Sequence, residues 1–223
     1  MTCYWQNKYI VKKMKDKEEK KIEKDNGTVY RIGIIGTGRI AARFLAEARE
    51  VKAAEVTIVY NPKRESAQKF EQQWNVQSTD DLMLFFLMSD IVYVASPHET
   101  HYGYIQKALQ KDKHVISEKP MVLKKAEAEK LCRLAEERNL ILLEGIKTLY
   151  CPGYQMVLKL VAGGTIGTLC NVEACFTKLE KRHTRELNDT LYGGSFTELG
   201  SYGLLPVLQL LGNNPSEIRI CLL

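Results

Sequence analysis

Three short clusters in this 223-residue sequence carry residue types able to do chemistry. The first is Gly36-Thr37-Gly38-Arg39-Ile40-Ala41, which follows a β-branched run and opens a segment with helical spacing. Gly36 permits a tight turn, Gly38 lets backbone approach a ligand, and Ala41 allows a helix to pack closely on its strand. A helix start of this kind holds a pyrophosphate through its amide donors and dipole. The second cluster joins Ser96-Pro97-His98-Glu99-Thr100-His101 with Glu118-Lys119-Pro120, each following a short apolar run. At the carboxyl ends of parallel strands, where open α/β sheets bind ligands, Lys119 supplies a cation that can polarise a hydroxyl or carbonyl oxygen or relay its proton. The third is Glu198 and Tyr202, four residues apart on a segment of helical spacing and so on one face. The stretch Ser195-Phe196-Thr197-Glu198 also reads as a helix capping box, in which Glu198 only caps.

Placing these clusters requires a regular alternation of strands and helices. Strand-like runs at Tyr30–Ile35, Glu55–Tyr60, Ile91–Ala95, His114–Ser117 and Leu140–Leu143 are separated by helical spacing at Ile40–Glu50, Glu65–Trp74, Asp81–Met88, Thr100–Gln110 and Lys124–Arg138. Such alternation predicts βαβ units and a parallel sheet. The expected fold is α/β, an N-terminal Rossmann doubly wound parallel sheet over residues 29–146, followed by an incomplete C-terminal α+β domain over 147–223. In the latter, Pro152–Ala162 and Ser195–Leu211 read as helices, Thr168–Lys178 and Glu217–Leu223 as strands, and 179–192 as a polar loop. Residues 1–28 form a charged extension closed by the turn signal Asp25-Asn26-Gly27.

The end of the second strand, Val59-Tyr60-Asn61-Pro62-Lys63-Arg64, has no carboxylate for ribose hydroxyls. Lys63 and Arg64 suit a 2′-phosphate, which favours NADP and leaves NAD open; as plain surface charges they would be solvated. The expected cofactor-binding set is Gly36, Thr37, Gly38, Arg39, Ile40, Asn61, Lys63, Arg64, Ser96, Pro97, His98, His101, Glu118, Lys119 and Pro120.

Hydrophobic residues at 45% and charged residues at 26% describe an ordinary globular chain, and no apolar run reaches bilayer length. Much of the net charge of +5 comes from leader lysines such as Lys12, Lys13, Lys20 and Lys21, so neither a nucleic-acid nor a membrane partner is expected. The six cysteines lack metal spacing and read as reduced thiols, so no metal is expected, and the cytoplasm is the expected location.

Taken in order, Gly36-x-Gly38-x-x-Ala41, Pro97-x-x-x-His101, Glu118-Lys119-Pro120 and Gly193-Gly194-x-x-x-Glu198-x-Gly200-x-Tyr202 resemble the Gfo/Idh/MocA oxidoreductase family. The tyrosine in the last motif is similar to its dimeric dihydrodiol dehydrogenase-like branch. The resemblance implies an NAD(P)-dependent dehydrogenase or reductase acting on sugars, cyclitols or diols. It makes Lys119 the active-site lysine, has Pro120 shape the nicotinamide pocket, and gives Tyr202 the acid–base work. Glu198 stands where many members have aspartate, and Tyr202 where many have histidine. His101 and His183 join Lys119 and Tyr202 as substrate-contact candidates, with His101 and Glu198 positioning. Lys147 and Leu149 depart from the branch's usual residues, so substrate identity does not transfer. Relatives continue beyond this length and form homo-oligomers. The chain therefore reads as truncated, and the alternative is a nucleotide-binding remnant or regulatory protein without turnover.

Overall fold

The structure, a computed structural model, describes residues 28–180, 183–212 and 214–219. The charged extension, apart from Thr28, and residues 220–223 of the expected last strand lie outside the described residues. The chain divides into two compact units, Met1–Gly145 and Ile146–Leu223.

In the first unit, β-branched and aromatic runs form six strands. These are β1 (Tyr30–Ile35), β2 (Ala54–Tyr60), β3 (Ser78–Thr79), β4 (Ile91–Val94), β5 (His114–Ser117) and β6 (Leu142–Glu144). Five helices alternate with them: α1 (Arg39–Ala48), α2 (Arg64–Trp74), α3 (Leu82–Leu87), α4 (His98–Gln110) and α5 (Lys125–Glu137). All pairings are parallel, in the order β3-β2-β1-β4-β5-β6.

Both faces of the sheet are covered. Ile34, Val59 and Tyr93 pack with Ala41 and Leu45 of α1 and Phe70 of α2. Their strand neighbours Ile35, Ile58, Val92 and Val94 face the other way, onto Phe85 of α3, Ile105 and Leu109 of α4 and Leu131 of α5. This is the two-residue alternation of a strand applied to a sheet buried on both sides. Each fully buried Ile or Leu contributes about 1.5–3 kcal/mol. Gly33 is required where α3 crosses β1, since a Cβ there would lie 2.7 Å from the Phe85 ring.

The chain runs outward from β1 to β3 and then returns to place β4 on the other side of β1. Ile35 is level with Tyr60 on one side and Val94 on the other. The residues after these strands, Gly36, Asn61 and Ala95, therefore share one edge at the point where strand order reverses, the place where such sheets take ligands.

The second unit holds α6 (Lys147–Tyr150), α7 (Pro152–Ala162), α8 (Arg185–Asn188) and α9 (Ser195–Leu211), with no strand among its described residues. The strand expected at Thr168–Lys178 does not form, nor does one at 217–219. Alternation alone does not make a strand: its backbone groups need a neighbour to pair with. The expected polar loop at 179–192 contains the single turn of α8. Cys151, Cys170 and Cys175 are free thiols, whereas Cys132 is disulfide-bonded, which departs from the expectation of reduced thiols throughout.

Candidate cofactor and active site

The turn between β1 and α1 is built for an anion. Gly36 has φ +113°, and a Cβ on it would lie 2.5 Å from the Ala95 carbonyl oxygen, so only glycine fits beside β4. Gly38 caps α1 with ordinary extended backbone (φ −86°). A Cβ there would meet no atom within 4 Å. Nothing in the fold itself demands glycine at 38; the space its missing Cβ leaves is a cradle beside the helix start. No side chain caps α1 and no acidic residue lies in its first turn, so its first amides and dipole face that cradle uncompensated by the protein. Ala41 is fully buried and brings α1 close to the sheet. Thr37 and Ile40 are half-buried, and Arg39 is exposed.

Asn61 ties this turn to the next. Its Nδ2 donates to Thr37 Oγ1 at 2.7 Å, and its Oδ1 accepts from the Lys63 amide at 2.8 Å. An amide side chain thus occupies the strand end where an acidic residue would favour NAD, and Lys63 and Arg64 are exposed at the start of α2. The donor set of amides, glycine cradle and cations fits a dinucleotide, and a 2′-phosphate in particular.

The loops after β4 and β5 meet through His101. Its ring is fully buried, with Nδ1 3.0 Å from the Pro120 carbonyl oxygen and Nε2 2.9 Å from that of Ser96. Both partners are acceptors; a neutral imidazole donates to one of them, and only the imidazolium serves both. Burial pushes the His101 pKa down, opposed by the two carbonyls. Both nitrogens face backbone carbonyls inside the fold, so the geometry turns neither to a substrate; the ring lies between Ser96 and Pro120. His98 begins α4 after Pro97, its ring 5.5 Å from that of His101. Thr100 Oγ1 donates to Ser96 Oγ at 2.7 Å.

The Glu118–Met121 segment is held at several points. The Glu118 amide donates to the Val94 carbonyl at 2.8 Å, and the Tyr93 hydroxyl donates to Glu118 Oε1 at 2.5 Å. Tyr93 is stacked on Phe44 of α1 with ring centroids 3.6 Å apart. Burial, then the Glu118 carboxylate, pushes its phenol pKa well up, so it stays a donor. The Lys119–Pro120 bond is cis. Past it, the Met121 amide donates to Glu144 Oε1 at 2.8 Å. Tyr93, Phe44 and Glu144 were absent from the candidates read in sequence. Glu144 ends β6, and the carboxyl-end rule that singled out Glu118 applies to it equally.

In the second unit, Glu198 and Tyr202 are half-buried on α9, and Tyr202 stacks on Phe176 with ring centroids 4.5 Å apart. The helix cap is Gly194 at φ +96°, with no side-chain cap bond. Ser195 is thus already helical, and the capping-box reading of Glu198 does not hold. His183 is exposed, with φ +72°. Among the described residues no group of His, Cys, Asp and Glu could hold a metal ion, and no helix is long and apolar enough to cross a membrane.

Comparison with known proteins agrees with this frame. Residues 30–146, about half the chain, match the Gfo/Idh/MocA family, described as an oxidoreductase family with an NAD-binding Rossmann fold. The chain is 29% identical to a dTDP-3,4-didehydro-2,6-dideoxy-α-D-glucose 3-reductase of Actinomadura kijaniata, over 84% of this chain and 58% of that one. It is 28% identical to a scyllo-inositol 2-dehydrogenase (NADP+) of Bacillus subtilis, over 86% and 61%. The crystal structure of KijD10, a 3-ketoreductase from A. kijaniata in complex with NADP and TDP-benzene, superposes with TM-score 0.75 at 28% identity, covering 83% of this chain and 58% of that one. The chain thus spans about three fifths of the length of these relatives. With the motifs, the strand order and this match in agreement, the chain belongs to the Gfo/Idh/MocA oxidoreductase family and carries its NAD-binding Rossmann fold.

Proposed function

We propose that this chain is the cofactor-binding part, and the beginning of the substrate-binding part, of an NADP-dependent oxidoreductase acting on a hydroxyl or keto group of a sugar or cyclitol. The observation that carries this is the pairing of the Gly36–Gly38 cradle with a fixed Lys119 loop across the β1–β4 switch point. When bound, the nicotinamide supplies or accepts the hydride. Lys119 holds the reacting oxygen by charge, and Tyr202 gives or takes its proton, so that reduction of a carbonyl consumes one hydride and one proton. Glu198, on the face of Tyr202, orients it. Lys63, Arg64 and Arg39 receive the 2′-phosphate. Residues 147–223 contribute to the substrate side, with His183 reaching the sugar. The relatives named above act on nucleotide-linked sugars and cyclitols, which sets the first substrates to try. The protein works without a metal, a nucleic acid or a membrane, as a homo-oligomer in the cytoplasm.

The test is a titration with NADPH and NADH followed by nicotinamide fluorescence, then turnover with keto-sugars and inositols. Saturable binding, tighter for NADPH, with turnover is the expected result. Binding without turnover would replace the enzyme by a regulatory nucleotide-binding protein. No binding by a folded sample would overturn both.

A further inference from the structure

Glu144 has no part in the reading above, yet its surroundings are those of an active-site group. It is the last residue of β6, at the sheet edge that carries Glu118 at the end of β5, and Ser117 is level with it in the β5–β6 register. The next amide, Gly145, donates to the Ser117 carbonyl at 2.7 Å, which locks the strand end to the start of the Lys119 loop. From there Glu144 Oε1 takes the Met121 amide at 2.8 Å, while Met121 itself is buried. The half-buried carboxyl is thus fixed two residues beyond Lys119.

Holding an amide needs only a neutral acceptor, and a glutamine would do it without the cost of burying a charge. Burial pushes the Glu144 pKa up, against the Met121 amide and the charge of Lys119, and Glu118 pushes it further up.

We infer that Glu144 is a positioning residue for Lys119, holding the Glu118–Met121 segment from the β6 side. The inference rests on Lys119 being the group that meets substrate, and it deepens that reading.

The test compares wild type, Glu144→Gln and Glu144→Ala by two readouts. The first, independent of turnover, is the rate at which an amine-reactive ester labels Lys119, followed by peptide mass spectrometry with Lys119→Arg as the site control. Glu144→Gln keeps the acceptor, so labelling should stay within about twofold of wild type, whereas Glu144→Ala frees the loop and labelling should quicken by about threefold or more. The second is kinetics: Glu144→Ala should lower kcat by about tenfold and Glu144→Gln should restore most of it, while NADPH affinity stays within about twofold in both. Unchanged labelling of Lys119 in folded Glu144→Ala overturns the inference, whether or not turnover is found. A wild type that fails to bind NADPH overturns the functional reading instead, and the labelling arm still decides on Glu144.

Discussion

The Lys119 ammonium is carried on a segment whose neighbours on both sides are tied down, Glu118 by Tyr93 and Met121 by Glu144. Under the proposed function, Lys119 acts on a substrate oxygen from this held loop. Lys119→Ala should lower turnover by at least about a hundredfold, the usual scale of a proton-transfer or polarising group, with NADPH affinity nearly unchanged. Steady-state kinetics beside a fluorescence titration checks this, and normal turnover in the variant would sink the assigned role. His101 behaves differently because it is buried and bridges two carbonyls. Its folded pKa lies below 6.5, its ordinary value. Between the two values the unfolded chain binds more protons than the folded one, so stability rises with pH through that window. It is therefore lost as pH falls below 6.5 toward the folded value. Urea unfolding from about pH 5 to 7.5 should show this slope in wild type and a flatter one in His101→Gln, which is also less stable by about 1–3 kcal/mol through a lost bridge. Parallel slopes in the two proteins would show that another group titrates. Sequence spacing brought out Lys119 and His101 because motifs mark them. It passed over Tyr93, which reads as one more apolar strand residue, and Glu144, whose meaning depends on which strand lies beside β5.

All but one of the elements of the first unit were legible to within about two residues. The apolar run at Tyr30–Ile35 predicts the span of β1, and His114–Ser117 that of β5, because strands buried on both faces must be apolar runs between turns. The two-residue β3 was not legible: Ser78 and Thr79 are strand only because β2 offers them a partner. The same dependence on partners explains the failure at Thr168–Lys178. Gly36 and Gly38 look alike in the motif and differ in the structure, which gives a paired prediction. At Gly36 a Cβ meets the Ala95 backbone oxygen at 2.5 Å and the φ is positive, so Gly36→Ala must part β1 from β4. It should cost about 1–3 kcal/mol of stability and abolish NADPH binding. At Gly38 a Cβ meets nothing, so Gly38→Ala should keep nearly all the stability and still lose affinity. Thermal unfolding and NADPH titration of both variants separate the two roles. If Gly38→Ala binds like wild type, the cradle is not where the pyrophosphate sits.

At the scale of the whole first unit, the site belongs to no single element: β1, β2, β4 and β5 each end in a residue that frames it. A ligand spanning these ends binds only the folded sheet, so its affinity is linked to global stability. NADPH at a hundred times its dissociation constant should add about 2.7 kcal/mol to the unfolding free energy. The proposed choice between dinucleotides is made at the rim. Lys63 and Arg64 are exposed at the start of α2, and Asn61 holds the Lys63 amide in place at 2.8 Å. If the two cations meet a 2′-phosphate, replacing both by alanine should weaken NADPH by about tenfold or more and leave NADH nearly unchanged. The fold should not notice, since exposed substitutions away from partners usually stay within about 0.5 kcal/mol. The NADPH advantage should also shrink as salt rises, because exposed charges are screened over about 8 Å at physiological ionic strength. Thermal shift with each dinucleotide, at low and high salt, reads all of this in one experiment. Equal loss for NADPH and NADH would place the two residues on the part of the cofactor that both share. No loss for either would return Lys63 and Arg64 to the solvent as surface charges, and leave the choice of cofactor to Asn61 and Arg39.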